Sequence, residues 1–360
     1  MNQSLLAIGI FLLVYAVLIT EKFHRTVIAL LGAAVMILLG ILDVEEALTH
    51  YIEWHTIALL IGMMILVGVT NQTGIVQYIA VKAAKAARGR PLRILLALAL
   101  LTAILSAFLD NVTTVLIMVP VTFSLTRILQ VNPVSFLISQ IITSNIGGTA
   151  TLIGDPPNIM IGTANQHLTF NAFLFHLAPI AMLILLVTLG LLVAIYRRHF
   201  TVEAERMKTL MQMNEREYFQ NRALLIKSLA AQTLAVTSGN IPLIAILLLW
   251  GSGIASGIID NIPFVATMIP LIQDLATASG LAVDSPQANT LWWSLALGAC
   301  LGGNGTLIGA SANVIVASLA ARAGNSFSYV EFLKIGAPLT LLSLLLATAY
   351  IFLRYILFLP

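Results

Sequence analysis

The chain has 360 residues, 59% of them hydrophobic and 9% charged, with a net charge of +3 and a mean hydropathy of +0.99. Soluble domains carry about 25% charged residues, so this composition points to an all-α polytopic membrane protein, and its long apolar runs exclude alternating barrel strands. The small positive charge suits basic residues at membrane edges better than a nucleic-acid partner, and the single Cys300 excludes an internal disulfide and a cysteine-based metal site.

The apolar run 5–20 has no positive residue ahead of it and reads as a retained first span rather than a signal peptide. Runs 27–42 and 54–69 follow, with Trp54 placed to anchor the third at an interface. Asp43, Glu45, Glu46 and Glu53 separate the second run from the third. Lys82, Lys85, Arg88, Arg90 and Arg93 come after it, with no acid among them. The positive-inside rule puts that basic segment in the cytoplasm and the acidic one outside. Residues 1–90 thus form an N-terminal group of scaffold spans.

Residues 91–196 carry the first chemistry. Two apolar arms, 94–109 and 112–125, flank Asp110 and Asn111. Arms of about 14–16 residues fall short of the about 20 needed to cross a bilayer, which predicts a re-entrant hairpin with Asp110 near the midplane. Ser106, four residues earlier, is expected on the same helix face. The span 134–163 is interrupted by S-N-I-G-G-T-A-T-L-I-G-D-P-P-N at 144–158. Gly147, Gly148 and Gly154 weaken a helix there, and Pro156 and Pro157 stop one. Lipid tolerates such a break only where it is buried in protein or lines a cavity. A further span, 172–196, leads to residues 197–228, where seven Lys/Arg and four Glu make a solvated cytoplasmic linker.

Residues 229–360 repeat this pattern. Ser106, Asp110, Asn111 and Pro120 return as Ser256, Asp260, Asn261 and Pro270, all 150 positions on. The break returns at 302–313 as G-G-N-G-T-L-I-G-A-S-A-N, with Thr151, Gly154 and Asn158 matched by Thr306, Gly309 and Asn313 at 155 positions on. Matched breaks in two halves point to a transporter binding site. The flanks 230–242 and 273–289 lack Lys and Arg, unlike the basic flank of the first hairpin. The two repeats are therefore expected to be inverted. The second is incomplete, because only 221–241 precede its hairpin and counterparts of the first three runs are missing. Three is an odd number of crossings. Either 224–237 crosses, or 242–259 becomes a full span, or the chain is a shortened version of a longer one.

The two Asp-Asn tips, the two breaks and I-D-N-I-P-F-V-A-T-M-I-P at 259–270 resemble the ion transporter superfamily, nearest to the arsenite-permease and NhaD-type sodium/proton antiporter branch with its citrate-transporter-like domain. Sodium-coupled dicarboxylate carriers are more distant relatives. The resemblance implies that hairpin tips and helix breaks jointly enclose the ion and substrate sites. It also implies a scaffold domain, a mobile transport domain and homodimerisation in a prokaryotic inner membrane.

Asp110 and Asp260 have no Lys or Arg in their arms. Each must be protonated, bound to a cation, or held by N–H groups at the start of the second arm. The first two states make a proton or Na⁺ site, and the third is a helix cap. Asn111, Asn261, Ser106 and Ser256 add hard oxygens, or else simply bond between helices. Thr151, Gly154, Asn158, Thr306, Gly309 and Asn313 line the site or only permit close packing. Asp155, matched by Ala310, is a second proton site or a cap ahead of Pro156. Cys300 is read as helix packing, and the six histidines as interfacial. The combined reading is secondary transport, as cation/proton antiport or efflux of a small inorganic anion or arsenite-like solute. Na⁺ or H⁺ is the coupling ion, with no other cofactor. A sodium-coupled di- or tricarboxylate carrier, a transport-defective remnant and an intramembrane aspartyl protease using Asp110 and Asp260 are the alternatives. No Walker motif indicates a primary pump.

Overall fold

A computed structural model describes residues 3–19, 25–46, 74–197 and 200, most of 249–356, and positions 49, 54, 57 and 61. Every regular element among them is helical. Two compact units are present, Met1–Ala58 and Leu59–Pro360. The first holds α1 (Gln3–Ile19) and α2 (Arg25–Leu38), packed against each other and apolar on most sides. Most of the expected third span, most of the linker, the stretch 224–237 and residues 242–248 of the stretch 242–259, the two places where a crossing was sought, lie outside the described residues.

The second unit begins with α3 (Ile75–Ala86), then α4 (Pro91–Ser106) and α5 (Asn111–Leu129). Pro91 stands at the first position of α4, where a missing N–H costs nothing. The turn 107–110 is the expected hairpin tip. The second arm, α5, is longer than the sequence suggested, at 19 residues with Pro120 inside. It is one of three described helices long and apolar enough to cross a membrane; the others are α9 (Ala178–Tyr196) and the segment Tyr329–Tyr355. Gln130, at φ 53°, ends α5 and returns its Nε2 to the Arg127 carbonyl at 2.9 Å.

The interrupted span is α6 (Val134–Thr149), an irregular turn, and α7 (Pro156–Ala164). α4 lies directly against α6. A Cβ on Gly147 would stand 2.1 Å from the Ala103 carbonyl oxygen, so only glycine permits this approach. α8 (Phe170–His176) leads into α9. The later part repeats the order, with α10 (Asn261–Ala278), α11 (Pro286–Gly302), α12 (Ser311–Arg322) and α13 (Tyr329–Ile351), the last continuing into a π-helical turn, Phe352–Ile356. Ser285 and Ser328 cap α11 and α13 by accepting from Ala288 N and Glu331 N.

Packing between the halves is crossed. α5 lies against α12, and α10 lies against α7. Each hairpin's second arm therefore meets the other half's post-break helix. α9 and α13 run in opposite directions. The Tyr350 hydroxyl near the end of α13 donates to the His176 carbonyl just before α9, at 2.7 Å. At the other end, Ile195 and Tyr196 line one cavity with Glu331 and Ile335. His176, expected to be a simple interfacial residue, stacks on Trp293 of α11 with centroids 5.0 Å apart and hydrogen-bonds the Tyr355 hydroxyl. It therefore ties α8 to both α11 and α13.

Candidate functional site

The tips and breaks meet in the buried centre of the second unit. Each break is stapled to its own hairpin by the same three contacts. Ser106 Oγ donates to the Ser144 carbonyl at 2.7 Å, and Ser256 Oγ to the Ala299 carbonyl at 2.6 Å. Thr151 Oγ1 donates to the Ala107 carbonyl, and Thr306 Oγ1 to the Gly257 carbonyl. A Cβ on Gly154 would lie 2.7 Å from the Ser106 carbonyl oxygen, and one on Gly309 would lie 2.8 Å from that of Ser256. The amides of Asn158 and Asn313 close the breaks from within. Asn158 Nδ2 donates to the Gly148, Thr149 and Thr151 carbonyls, and Asn313 Nδ2 to those of Gly303 and Thr306. Broken helices free carbonyls that lipid cannot solvate; these side chains satisfy them. Eight of the expected site residues thus hold the site together by these contacts. Ser106 does not share a helix face with Asp110, because α4 ends at Ser106 and Asp110 precedes the first residue of α5.

The remaining five, Asp110, Asn111, Asp155, Asp260 and Asn261, surround the centre. Asp110 is buried and caps α5, its Oδ1 accepting from Thr113 N at 2.9 Å and its Oδ2 from the Thr113 hydroxyl. The residue matching Thr113 is Pro263, which has no N–H. Asp260 Oδ1 accepts instead from Ile262 N at 3.2 Å, and its Oδ2 from Ser311 Oγ of α12 at 2.7 Å. Asp155 stands just before α7, but its side chain makes no capping hydrogen bond there. Asp155 Oδ1 accepts from Asn261 Nδ2, across the halves, at 3.2 Å. Asp155 Oδ2 is buried and has no hydrogen-bond partner among the described residues. The same holds for Asn111 Oδ1. The two residues are neighbours, since Asn111 N donates to the Gly154 carbonyl at 3.1 Å.

Three polar residues of the centre were not on the expected site list. Asn145 is fully buried in α6 and bridges the halves. Its Oδ1 accepts from Asn111 Nδ2 at 3.0 Å, and its Nδ2 donates to Asn304 Oδ1 and Asn313 Oδ1 at 3.0 and 2.9 Å. Asn304 Nδ2 returns to the Ile142 carbonyl at 3.1 Å. Cys300, expected only to pack, lies 3.4 Å from Asn158 Oδ1 with its thiol as donor. Asn145 and Cys300 are 155 positions apart, as are Asn158 and Asn313. The Asn145–Asn313 and Cys300–Asn158 contacts are therefore one contact made twice. The repeat offset could have flagged Cys300, because it falls on the Asn of the first break motif.

A citrate-transporter family model matches residues 15–238. The chain belongs to the citrate-transporter family. Among family relatives, an uncharacterised transporter of Mycobacterium tuberculosis is 37% identical, covering 98% of this chain and 99% of that protein. A 46 kDa membrane protein of Mycobacterium leprae is 36% identical over 98% and 99% of the two chains. The P protein of Mus musculus is 31% identical over 97% of this chain, which spans 60% of that protein's length. These relatives agree with the expected ion transporter superfamily and identify the chain as an integral membrane transporter. The Mycobacterium tuberculosis alignment runs over 429 positions yet takes in 98% of 360 residues, so roughly 75 of its positions face a gap in this chain. That is about the length of three spans of about 20 residues with their loops.

Proposed function

We propose that this family member is a secondary active transporter working by cation/proton antiport, or by efflux of a small inorganic anion or arsenite-like solute, with Na⁺ or H⁺ as coupling ion. One observation carries the reading. Asp110, Asp155 and Asp260 gather in the centre where tips and breaks meet, and the sequences of α6, α7, α10 and α11 contain no Lys, Arg or His. The only basic residues of α4, α5 and α12 are Arg93, Arg127 and Arg322, all at helix ends. Asp110 and Asp155 are buried, a buried carboxylate is costly unless it takes up a proton or cation or is held by hydrogen bonds, and a site that can exchange a proton for a cation is suited to coupling. The crossed packing and the opposed α9 and α13 support an inverted pair of repeats around this centre.

The family description favours a second reading, a sodium-coupled di- or tricarboxylate carrier. Three carboxylates would repel such an anion unless cations enter with it. The protease alternative would need Asp110 and Asp260 to share a proton, whereas each carboxylate is bonded to its own partner, Thr113 and Ser311.

Proteoliposomes holding the full chain test the proposal. An imposed pH gradient should drive saturable ²²Na⁺ flux, weakened at least tenfold by Asp155→Asn. Sodium-dependent uptake of labelled citrate without that exchange would move the assignment to the carrier reading. Neither flux, from correctly inserted protein, would overturn both and leave a transport-defective remnant.

A further inference from the structure

We infer that His176 is a proton-binding site separate from the carboxylate centre, and that a proton taken up there releases α8 from α11 and α13. This site is independent of which solute the protein carries.

α8 grips α11 through one indole. Phe173 meets the Trp293 ring edge-on with centroids 5.0 Å apart, and His176, three residues later, stacks on it at 5.0 Å and 13°. Side chains three apart share one side of a helix, so the two rings clamp the indole together. Trp293 Nε1 is buried and has no hydrogen-bond partner among the described residues, so ring contacts hold the indole. The grip on α13 runs through the same residue. His176 Nδ1 hydrogen-bonds the Tyr355 hydroxyl, and the Tyr350 hydroxyl donates to the His176 carbonyl at 2.7 Å.

A neutral imidazole suits this position and a charged one does not. α8 has no other ionisable side chain, α9 has only Tyr196 at its far end, and α11 has only Cys300. α13 and its π-helical turn bring Tyr350, Arg354 and Tyr355, with Tyr329, Glu331 and Lys334 at the opposite end of α13. The Arg354 guanidinium bonds the Tyr350 hydroxyl and lies 5.7 Å from the Tyr355 ring centre. A proton on His176 therefore adds a second positive charge where these elements bring no carboxylate. Stacking on the indole offsets part of that cost. Burial, and then the Arg354 charge, hold the imidazole below its ordinary value. A ring released from these contacts returns to about 6.5. The grip is thus complete above about pH 6.5 and weakens as pH falls below it.

His176 is half-buried, within reach of solvent protons. α9, with 19 residues and a length of about 28 Å, separates it from Arg197. Where the charge pattern places Arg197 inside, His176 answers to the pH of the outer face. Trp293 stands two turns before Cys300 on α11, so release of the indole loosens the helix that leads into the second break.

The test reads the latch apart from transport. Purified full-length protein in nanodiscs is titrated from about pH 8 to about pH 4, following tryptophan emission, because an imidazolium quenches an indole stacked on it. The expected result is a one-proton fall in emission with a midpoint below about 6.5. His176→Gln, which keeps an acceptor for the Tyr355 hydroxyl, and Trp293→Phe should both abolish it. Asp155→Asn should leave it in place, and Arg354→Gln should raise its midpoint. Hydrogen exchange, corrected for the intrinsic rate, should show amides 170–176 less protected at about pH 5 than at about pH 7.5 in the parent and equally protected in His176→Gln. A flat titration in the parent, a fall that persists in His176→Gln, or parent protection equal at the two pH values would overturn the inference.

Discussion

Asn145 offers the sharpest test of whether the central polar network joins the two halves. Asn145→Leu keeps the approximate volume and removes three side-chain hydrogen bonds, to Asn111, Asn304 and Asn313. Interhelical hydrogen bonds in membranes average about 0.6 kcal/mol and reach about 1.7, so three of them give roughly 2 to 5 kcal/mol. The upper part of that range applies when partners are stranded. Asn111 Nδ2 is left without its acceptor in the buried centre, whereas Asn304 and Asn313 keep their own donor bonds to carbonyls. Thr102→Val is the control. Thr102 is also fully buried, but its hydroxyl bonds only the Leu98 carbonyl of its own helix, at 2.7 Å. That change should cost about 0.5 kcal/mol or less. Reversible unfolding in mixed micelles would compare the two. Equal losses for Asn145→Leu and Thr102→Val would refute the argument, because they would mean that the cross-half bonds contribute no more than a local one.

Two glycine substitutions should move stability in opposite directions. Gly147→Ala gains up to about 1 kcal/mol of helix propensity but drives a Cβ to 2.1 Å from a backbone oxygen that cannot rotate away, so α4 and α6 must separate. Overpacking of this kind costs about 1 to 3 kcal/mol, and a lowered melting temperature is expected. Gly190→Ala, in α9, meets nothing within 4 Å and should raise the melting temperature slightly. Thr113→Val should cost about 1 kcal/mol, by removing the hydroxyl bond to Asp110 while the backbone cap survives. Thr113→Ser should restore most of it in the same melts.

Much of the architecture was legible because its causes are local. Asp110 caps α5 because a carboxylate three residues ahead of an N–H can reach it, whatever else surrounds it. Pro156 and Pro157 start α7 for a reason confined to two residues. The hairpin tip, the two breaks and the staples between them follow from motifs that recur at fixed offsets. The length of α5 was underestimated because Phe123 to Leu129 mixes polar and apolar residues, and burial against α4, α6 and α12 keeps that stretch helical.

The roles within the site were decided elsewhere. Asp155 looks like a cap in sequence, and its partner Asn261 lies 106 positions away. Asn145 and Asn313 are 168 positions apart, and Cys300 and Asn158 are 142 apart. No periodicity or spacing encodes such pairs. The sequence by itself determined a helical membrane protein with two related halves, because hydropathy, glycine, proline and capping act within a turn or two of chain. Only the tertiary structure decided which carboxylates are caps and which one faces the other half, because a buried polar group takes whatever partner the packing of distant helices brings within reach.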